Sequence, residues 1–252
     1  MYCKPIQLRR LTVRTYDFED FDDEEFNAAR NGSVILGTFL LENNPKWTFF
    51  PDDIMSLSVH NLDKIHHVLV SGQSGCGKTV LAQRYITAAK NFPDKIKTIY
   101  IPSHVDDEKG HHLSDTFDIL DKLDDVEQEI ENRKEMLEGS GVSTWSEFTK
   151  VYSINIPLRT VVIFDDLGHL LDRCTNGGLL DEDDFLDKLK NLIEVGGNLG
   201  IHVVSTTQNV SSVSEYIDTD IFPGKIFFDA EKTGSIGHGR AIWESGGEKS
   251  AV

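Results

Sequence analysis

The sequence predicts an α/β protein in which a mainly parallel sheet is covered by helices. Three observations lead to this prediction. Short apolar runs recur without polar alternation, helical segments separate them, and a glycine-rich loop joins the first run to the first helix. Parallel strands have this composition because both of their faces are buried. The predicted strands are residues 66–71, 97–102, 160–165, 200–206, 225–229 and 239–243.

Three segments between these strands have helical patterns. Residues 78–91 follow the first strand, and residues 116–138 carry an apolar stripe at helical spacing. The stripe consists of Phe117, Leu120, Leu123, Val126, Ile130 and Leu137. It favours core packing over a coiled-coil partner, because the run is too short for a sustained heptad repeat. A third helix is predicted over 182–195, with Gly196-Gly197 ending it.

The 252 residues are expected to form one main domain, residues 61–252, and a small accessory region, residues 1–60. The accessory region has short strand candidates and an acidic cluster, DFEDFDDEEF at 17–26. A solvated acidic arm is favoured for this cluster over a docking segment for a basic surface. No apolar stretch reaches the ~20 residues of a bilayer-spanning helix, so no membrane span is expected.

The charge of the chain limits how it can meet nucleic acid. Its formal net charge is -17 at pH 7. The average surface therefore repels phosphate backbones, and any contact with nucleic acid has to be local.

The glycine-rich loop has a recognisable spacing. Gly72, four intervening residues and then Gly77-Lys78-Thr79 match the P-loop pattern, between a strand and a helix as that pattern requires. The residues expected to contact the nucleotide are Gly72, Gln73, Ser74, Gly75, Cys76, Gly77, Lys78, Thr79 and Val80. Glycines allow backbone N–H groups to point inward at an anion, and the helix start adds positive potential. Lys78 is expected at the β- and γ-phosphates of ATP, and Thr79 at Mg²⁺.

Two carboxylates follow a later apolar strand, TVVIFDD at 160–166. Asp165 at the strand end is expected to hold Mg²⁺ through its water shell. Asp166 is placed to orient or deprotonate the water that attacks the γ-phosphate. It could instead cap the helix that follows. The catalytic interpretation is favoured because the chain already carries a phosphate loop.

A further strand ends in small polar residues, GIHVVSTTQNV at 200–210. The side-chain amide of Gln208 could sense the γ-phosphate, because an amide both donates and accepts hydrogen bonds. It could equally be a polar strand end bonded to backbone, and spacing does not distinguish these alternatives.

Together these segments resemble the viral genome-packaging ATPases of the FtsK/HerA superfamily. The resemblance rests on HHVLVSGQSGCGKTVLAQRYI, VVIFDDLGHLL and LGIHVVSTTQNV, in that order, and covers about residues 62–243. It implies a RecA-like P-loop NTPase core, a homo-oligomeric ring, usually a hexamer, and ATP-driven movement of double-stranded DNA into a preformed capsid. It also implies capsid or portal-vertex partners, and a location in the host cytoplasm, at a virus assembly site or in the virion. Asp166 would be the catalytic carboxylate and Gln208 the sensor.

One departure from the family concerns an arginine finger, which many relatives carry shortly before the sensor strand. This chain has Gly197 there. Arg173 is the leading replacement, and Arg240, Arg84 and Arg159 are alternatives. A surface ion pair is the simpler interpretation of each one.

Other functions remain open at this level. A plasmid or chromosome translocase of the same superfamily would share these motifs. A ring scaffold at a capsid vertex would use ATP for assembly and show no DNA-stimulated turnover. In a ring, a few lysines such as Lys188, Lys190 and Lys225 could face a central channel while the outside stays acidic.

Overall fold

The computed structural model describes residues 10–12, 33–40, 56–103, 112–152, 158–177, 182–228, 240–245 and 248–251. The acidic cluster at 17–26 lies outside these ranges. The strands are β1 Arg10–Thr12, β2 Ser33–Leu40, β3 Ser56–Asn61, β4 His67–Gly72, β5 Ile96–Pro102, β6 Arg159–Asp165, β7 Ile201–Thr207, β8 Gly224–Phe228, β9 Arg240–Ser245 and β10 Glu248–Ala251. The helices are α1 Lys78–Asn91, α2 His112–Glu138, α3 Trp145–Val151, α4 Leu167–Gly177, α5 Glu182–Gly196 and α6 Val210–Ser214.

The strands form one sheet in the order β3-β2-β1-β9-β8-β4-β7-β6-β5, and β10 pairs with β9. The five strands β8-β4-β7-β6-β5 are parallel, with helices between them in sequence. This confirms the predicted α/β fold, and the parallel, helix-covered part of the sheet has five strands. Strand β9, predicted with the others at 239–243, runs antiparallel to β8.

The accessory region joins the same sheet. Strand β1 lies antiparallel between β2 and β9, and β2 pairs antiparallel with β3. The described part of residues 1–60 therefore extends the sheet sideways from β9. The domain boundary at residue 60 stays a prediction.

The apolar runs lack polar alternation because each strand serves two cores. In β4, Leu69 packs in one cluster, and Val68 and Val70 pack in the other. Strand β6 divides in the same way, with Val162 in the first cluster and Val161 in the second. The first cluster is covered by α2, α3, α4 and α5, and the second by α1 and β2. Apolar residues at every position are therefore required by burial on both faces.

The stripe on α2 packs into the protein's own core. Leu123, Val126, Ile130 and Leu137 are buried in the first cluster, as the core interpretation predicted. Within the described residues, no helix is both long enough and apolar enough to cross a bilayer.

The end of α5 differs from the prediction by one residue. The helix continues through Gly196, a 3₁₀ turn spans Gly197–Leu199, and the chain reverses at Gly200, where φ is 70°. Gly197 has a different purpose: a Cβ there would lie 2.6 Å from Cγ of His66. The α-helix therefore ends at the predicted Gly196-Gly197 stop, one residue beyond the predicted 182–195. Close packing explains Gly197, and Gly200 provides the left-handed turn.

Candidate active site

The phosphate loop connects β4 to α1 and is shaped by its glycines. Gly75 and Gly77 have backbone φ values of 77° and 116°, which residues with a Cβ rarely adopt. A Cβ at Gly72 would lie 2.6 Å from Cβ of Phe228, so the loop begins in tight contact with β8. The sequence between Gly72 and Lys78 therefore folds into a curl at the carboxyl end of the sheet, ahead of the positive end of α1.

Lys78 lies inside this curl. Its Nζ donates to the carbonyl oxygens of Gly72 and Gln73, at 2.6 and 2.9 Å, and the residue is 9% exposed. Thr79 and Val80, the next residues of α1, are exposed. The loop thus presents a buried ammonium group beside an exposed hydroxyl, at a helix start suited to an anion.

Asp165 ends β6, and both of its carboxylate oxygens are hydrogen bonded. The phenol of Tyr100 donates to Oδ2 at 2.6 Å, and the hydroxyl of Thr206 donates to Oδ1 at 2.8 Å. Burial and the nearby carboxylate raise the pKa of Tyr100, so the phenol keeps its proton. Tyr100 and Thr206 come from β5 and β7, the two strands beside β6.

Sequence reasoning missed Tyr100 and Thr206. A hydroxyl near the carboxyl end of an otherwise apolar strand was the available signal, because the ends of parallel strands meet at one edge. The pairing of Pro102 with Asp165, and of Phe164 with Ser205, is what brings these hydroxyls to the aspartate.

Asp166 is a non-glycine residue with positive φ, at 57°. Its N–H donates to Thr206 Oγ1 at 2.8 Å, and its carbonyl accepts from Leu170 N as α4 begins. Its Oδ2 accepts from Gln208 Nε2 at 3.1 Å. The structure thus brings Asp166 and the exposed amide of Gln208 together in one hydrogen bond, between the end of β6 and the end of β7.

The parallel order explains the spacing of the site. Strand β7 lies between β4, which leads into the phosphate loop, and β6, which ends at Asp165. Two strand spacings amount to about 10 Å, which leaves room for phosphates between Lys78 and the aspartates. The site therefore assembles from three strand ends that are distant in sequence.

The oxygen ligands at this edge fit Mg²⁺. A threonine hydroxyl and an aspartate carboxylate are hard oxygen donors, and Mg²⁺ usually takes few protein ligands together with substrate phosphates. Among the residues that the structure describes, no cluster of three or more His, Cys, Asp or Glu side chains forms a metal site. Thr79 and Asp165 remain the predicted contacts for a nucleotide-borne ion.

The arginine candidates lie in different surroundings. Arg173 on α4 donates from Nη1 to the carbonyl oxygen of Ser103, at 2.7 Å, just after β5. Arg159 is 5% exposed and binds Asp63 through two hydrogen bonds of 2.9 and 2.7 Å, at the amino end of the sheet. The side chain of Arg240 is outside the described part of the chain. Arg173 is therefore near the carboxyl ends of the strands, and Arg159 is a buried ion-pair residue.

The lysines predicted for a channel also differ. Lys188 lies among Asp124, Glu127 and Asp184, with contacts of 2.8, 3.0 and 3.4 Å. Lys225 binds Asp220 at 2.6 Å, whereas Lys190 is exposed. The charge of Lys188 is compensated within the subunit, which makes it unsuited to a phosphate contact.

No family model matches the chain. Comparison with known proteins finds secretion-system and DNA-translocase proteins that are similar to it. The type VII secretion system protein EssC of Staphylococcus aureus (strain NCTC 8325 / PS 47) is 27% identical in an alignment 198 residues long, which covers 70% of this chain and 12% of EssC. The DNA translocase FtsK of Listeria monocytogenes is 24% identical in an alignment 234 residues long, which covers 80% of this chain and 30% of FtsK. The chain thus spans less than a third of the length of either relative.

Solved structures share the fold. The pCW3 conjugation coupling protein TcpA, solved with ATPγS, superposes with a TM-score of 0.65 at 16% identity, over 98% of this chain and 69% of TcpA. ATPases 2 and 3 of EssC from Geobacillus thermodenitrificans give a TM-score of 0.54 at 19% identity, over 78% of this chain and 41% of theirs. Sequence and fold together support the FtsK/HerA-type P-loop ATPase superfamily.

Proposed function

We propose that this chain, an FtsK/HerA-type P-loop ATPase by sequence and fold, hydrolyses ATP to translocate double-stranded DNA. The observation that carries the proposal is the hydrogen bond between Gln208 and Asp166. This bond joins the predicted sensor to the predicted catalytic carboxylate. It lies at the carboxyl ends of the parallel strands, where Lys78 also lies. The likeness to FtsK, a DNA translocase, and to TcpA, a conjugation coupling protein, supports DNA as the substrate.

The chemistry assigned to the site follows from its residues. Lys78 would leave its two carbonyl partners for the β- and γ-phosphates, because a phosphate is the stronger partner for an ammonium group. Asp166 would accept a proton from water as the water oxygen bonds to the γ-phosphorus and the bond to the ADP oxygen breaks. Mg²⁺ near Thr79 and Asp165 would neutralise phosphate charge.

Gln208 would report this reaction to the rest of the chain. Its amide is bonded to Asp166 and lies at the end of β7, so a change at the γ-phosphate would alter the bond and move the start of α6. Arg173 stays the candidate for completing a neighbouring subunit's site in a ring. A hexamer is the proposed assembly, because the motif resemblance to ring-forming packaging ATPases implies one, and a closed ring is the usual form of such an oligomer.

The finer proposal is genome packaging into a preformed capsid, which rests on the motif resemblance to viral packaging ATPases. The rival within the same class is transfer of plasmid DNA, favoured by the match to TcpA over 98% of this chain. Binding of purified capsids or portal-vertex proteins to the ring would support packaging. A ring that ignores capsids but moves plasmid DNA would support transfer.

The first test is steady-state ATP hydrolysis by the purified chain, with and without long double-stranded DNA. Turnover should rise with DNA, lose that stimulation at high salt and fall by at least about 100-fold in Lys78→Ala. Lys90→Ala, an exposed lysine at the other end of α1, is the matched control and should resemble the wild type.

Two results would redirect the proposal. Assembly with ATP but without DNA-stimulated turnover at any salt concentration would favour a nucleotide-dependent scaffold. Stimulation by a polypeptide instead of DNA would point to the activity of EssC-like secretion proteins.

A further inference from the structure

The hydroxyl of Thr206 makes two hydrogen bonds, one to each of the paired aspartates. It donates to Oδ1 of Asp165 at 2.8 Å and accepts from the N–H of Asp166 at 2.8 Å. Thr206 is completely buried, at 0% exposure. A hydroxyl has a single hydrogen, so this donor is fully used by Asp165 while a lone pair serves Asp166.

These two bonds act on different parts of the aspartates. The bond to Asp165 fixes a side-chain oxygen, and the bond from Asp166 fixes the backbone of a residue at φ 57°. A non-glycine residue in this conformation is strained, and it persists where surrounding contacts hold it. Thr206 supplies such a contact from outside the β6–α4 turn.

The same strand end carries the predicted sensor. Gln208 follows Thr206 by two residues and donates to Oδ2 of Asp166. On the other side of β6, Tyr100 donates to Oδ2 of Asp165. The aspartates are therefore held from β7 by Thr206 and Gln208, and from β5 by Tyr100.

We propose that Thr206 is a positioning residue for hydrolysis: it keeps Asp165 and Asp166 in one arrangement relative to Gln208, with Tyr100 as the opposing support. The inference rests on the proposed ATPase function. A shift of the β7 end would move the side chain of one aspartate and the backbone of the other together. Thr206 thereby couples the sensor segment to the carboxylate of Asp165 and to the backbone of Asp166.

The chain offers matched variants for a test. Thr206→Val keeps the shape and removes both hydrogen bonds, whereas Thr206→Ser keeps the hydroxyl. Ser205→Ala removes a neighbouring buried hydroxyl of the same strand that has no hydrogen-bond partner among the described residues. Tyr100→Phe removes the opposing support alone, and provides a second route if Thr206→Val folds poorly.

The first readout needs no nucleotide. Amide hydrogen exchange at Asp166 should be slow in the wild type, Thr206→Ser and Ser205→Ala, and faster by about 10-fold or more in Thr206→Val.

The second readout is kinetic. In Thr206→Val, kcat should fall by about 10- to 100-fold with ATP affinity in EDTA unchanged, because a displaced carboxylate harms chemistry more than binding. The Mg²⁺ concentration for half-maximal turnover should rise in Thr206→Val and, less, in Tyr100→Phe.

The failures are distinguishable. If the wild type neither binds nor hydrolyses ATP, the proposed function fails and the positioning role fails with it. If the wild type and Ser205→Ala hydrolyse ATP and Thr206→Val does so equally well with the same Mg²⁺ dependence, the positioning role alone is overturned. A loss in Thr206→Val that Thr206→Ser shares would assign the effect to packing and would also overturn it.

Discussion

The two ends of the parallel sheet are built from polar residues used in opposite ways. At the carboxyl end, Asp166 has positive φ, and the side chains of Gln208 and Thr79 are exposed. At the amino end, Arg133 is 1% exposed and donates to the carbonyl oxygens of Leu199 and Gly200. One end thus presents polar side chains to solvent, and the other buries a guanidinium group among backbone acceptors.

The amino-end network ties α2 to the sheet. The Arg133 guanidinium also donates to Glu129 and to Thr160 of β6, and it lies 4.5 Å from the Trp145 ring centre. Gly200 allows this packing, since a Cβ there would lie 2.4 Å from Trp145 Cδ1. The buried contacts of Arg133 thus anchor the strands at the end opposite to Asp166, whose backbone is strained. Changes at the amino end should therefore alter stability, and changes at the carboxyl end should alter turnover.

The largest effect should follow from Arg133→Met. This change leaves Glu129 and two carbonyl groups without their buried cation, and breaking a buried ion pair costs roughly 4 kcal/mol of unfolding free energy. Urea unfolding measures it. The double variant Arg133→Met with Glu129→Leu should recover much of the loss, because no buried charge is left unpaired, and the exposed Lys97 loses its Glu129 partner at little cost. If the folded Arg133→Met variant lost nucleotide affinity at low temperature, the claim that the amino end affects stability alone would be wrong.

Asp166→Asn should have the next largest effect, and at the other end. Removing a proton acceptor should lower ATP turnover by about 100-fold or more, equivalent to roughly 3 kcal/mol, while thermal stability stays near that of the wild type. Asp166→Gly should be as inactive but no less stable, because glycine adopts the φ of this position without strain. A large drop in melting temperature for Asp166→Gly would contradict the claim of local strain.

Gly200→Ala tests the packing against Trp145 at the amino end, and Gly141→Ala is its control. Both glycines have positive φ, 70° and 76°, so both alanines carry the same backbone strain. Nothing lies within 4 Å of a Cβ at Gly141, whereas Trp145 lies 2.4 Å from one at Gly200. Gly200→Ala should therefore be less stable than Gly141→Ala by about 2 kcal/mol, measured by urea unfolding. Equal losses would mean that Trp145 moves away freely.

The smallest effect concerns pH and the buried histidines of the amino end. Burial and the neighbouring groups His67, His66, His60 and Arg159 hold the pKa of His202 well below 6.5. Burial likewise lowers the pKa of His60 to about 4 and that of His67 to about 3. Below pH 6.5 the unfolded chain binds more protons than the folded one, so stability should fall as pH falls towards the lowered values.

His202→Leu should reduce this dependence. Among the described residues, neither ring nitrogen of His202 has a hydrogen-bond partner, so the loss at pH 7.5 should be small. Between pH 6.5 and 5.5, the slope of unfolding free energy should decrease by about 1 kcal/mol per pH unit relative to the wild type, because the unfolded imidazole takes up most of its proton in this interval. Unfolding curves at both pH values measure the slopes. Identical slopes would show that His202 is not the titrating group.

Much of the site could be predicted because its parts are local motifs. The phosphate loop needs a strand, glycines, a lysine and a helix in succession, and all of these stand between His67 and Asn91. The run into Asp165 and Asp166 is similarly continuous. The antiparallel direction of β9 and the close packing of Gly197 against His66 were not predictable in the same way, because these partners come from distant segments.

The α/β fold, the phosphate loop and the paired aspartates follow from the sequence, because residue type and spacing within one segment specify each of them. The contacts that hold these groups come from distant segments. Tyr100 and Asp165 are 65 residues apart, Thr206 and Asp165 are 41 apart, and Arg133 and Leu199 are 66 apart. Tyr100 and Thr206 meet Asp165 because β5, β6 and β7 are adjacent parallel strands, and Arg133 meets Leu199 because α2 packs against the sheet. No pattern within one segment encodes either neighbour.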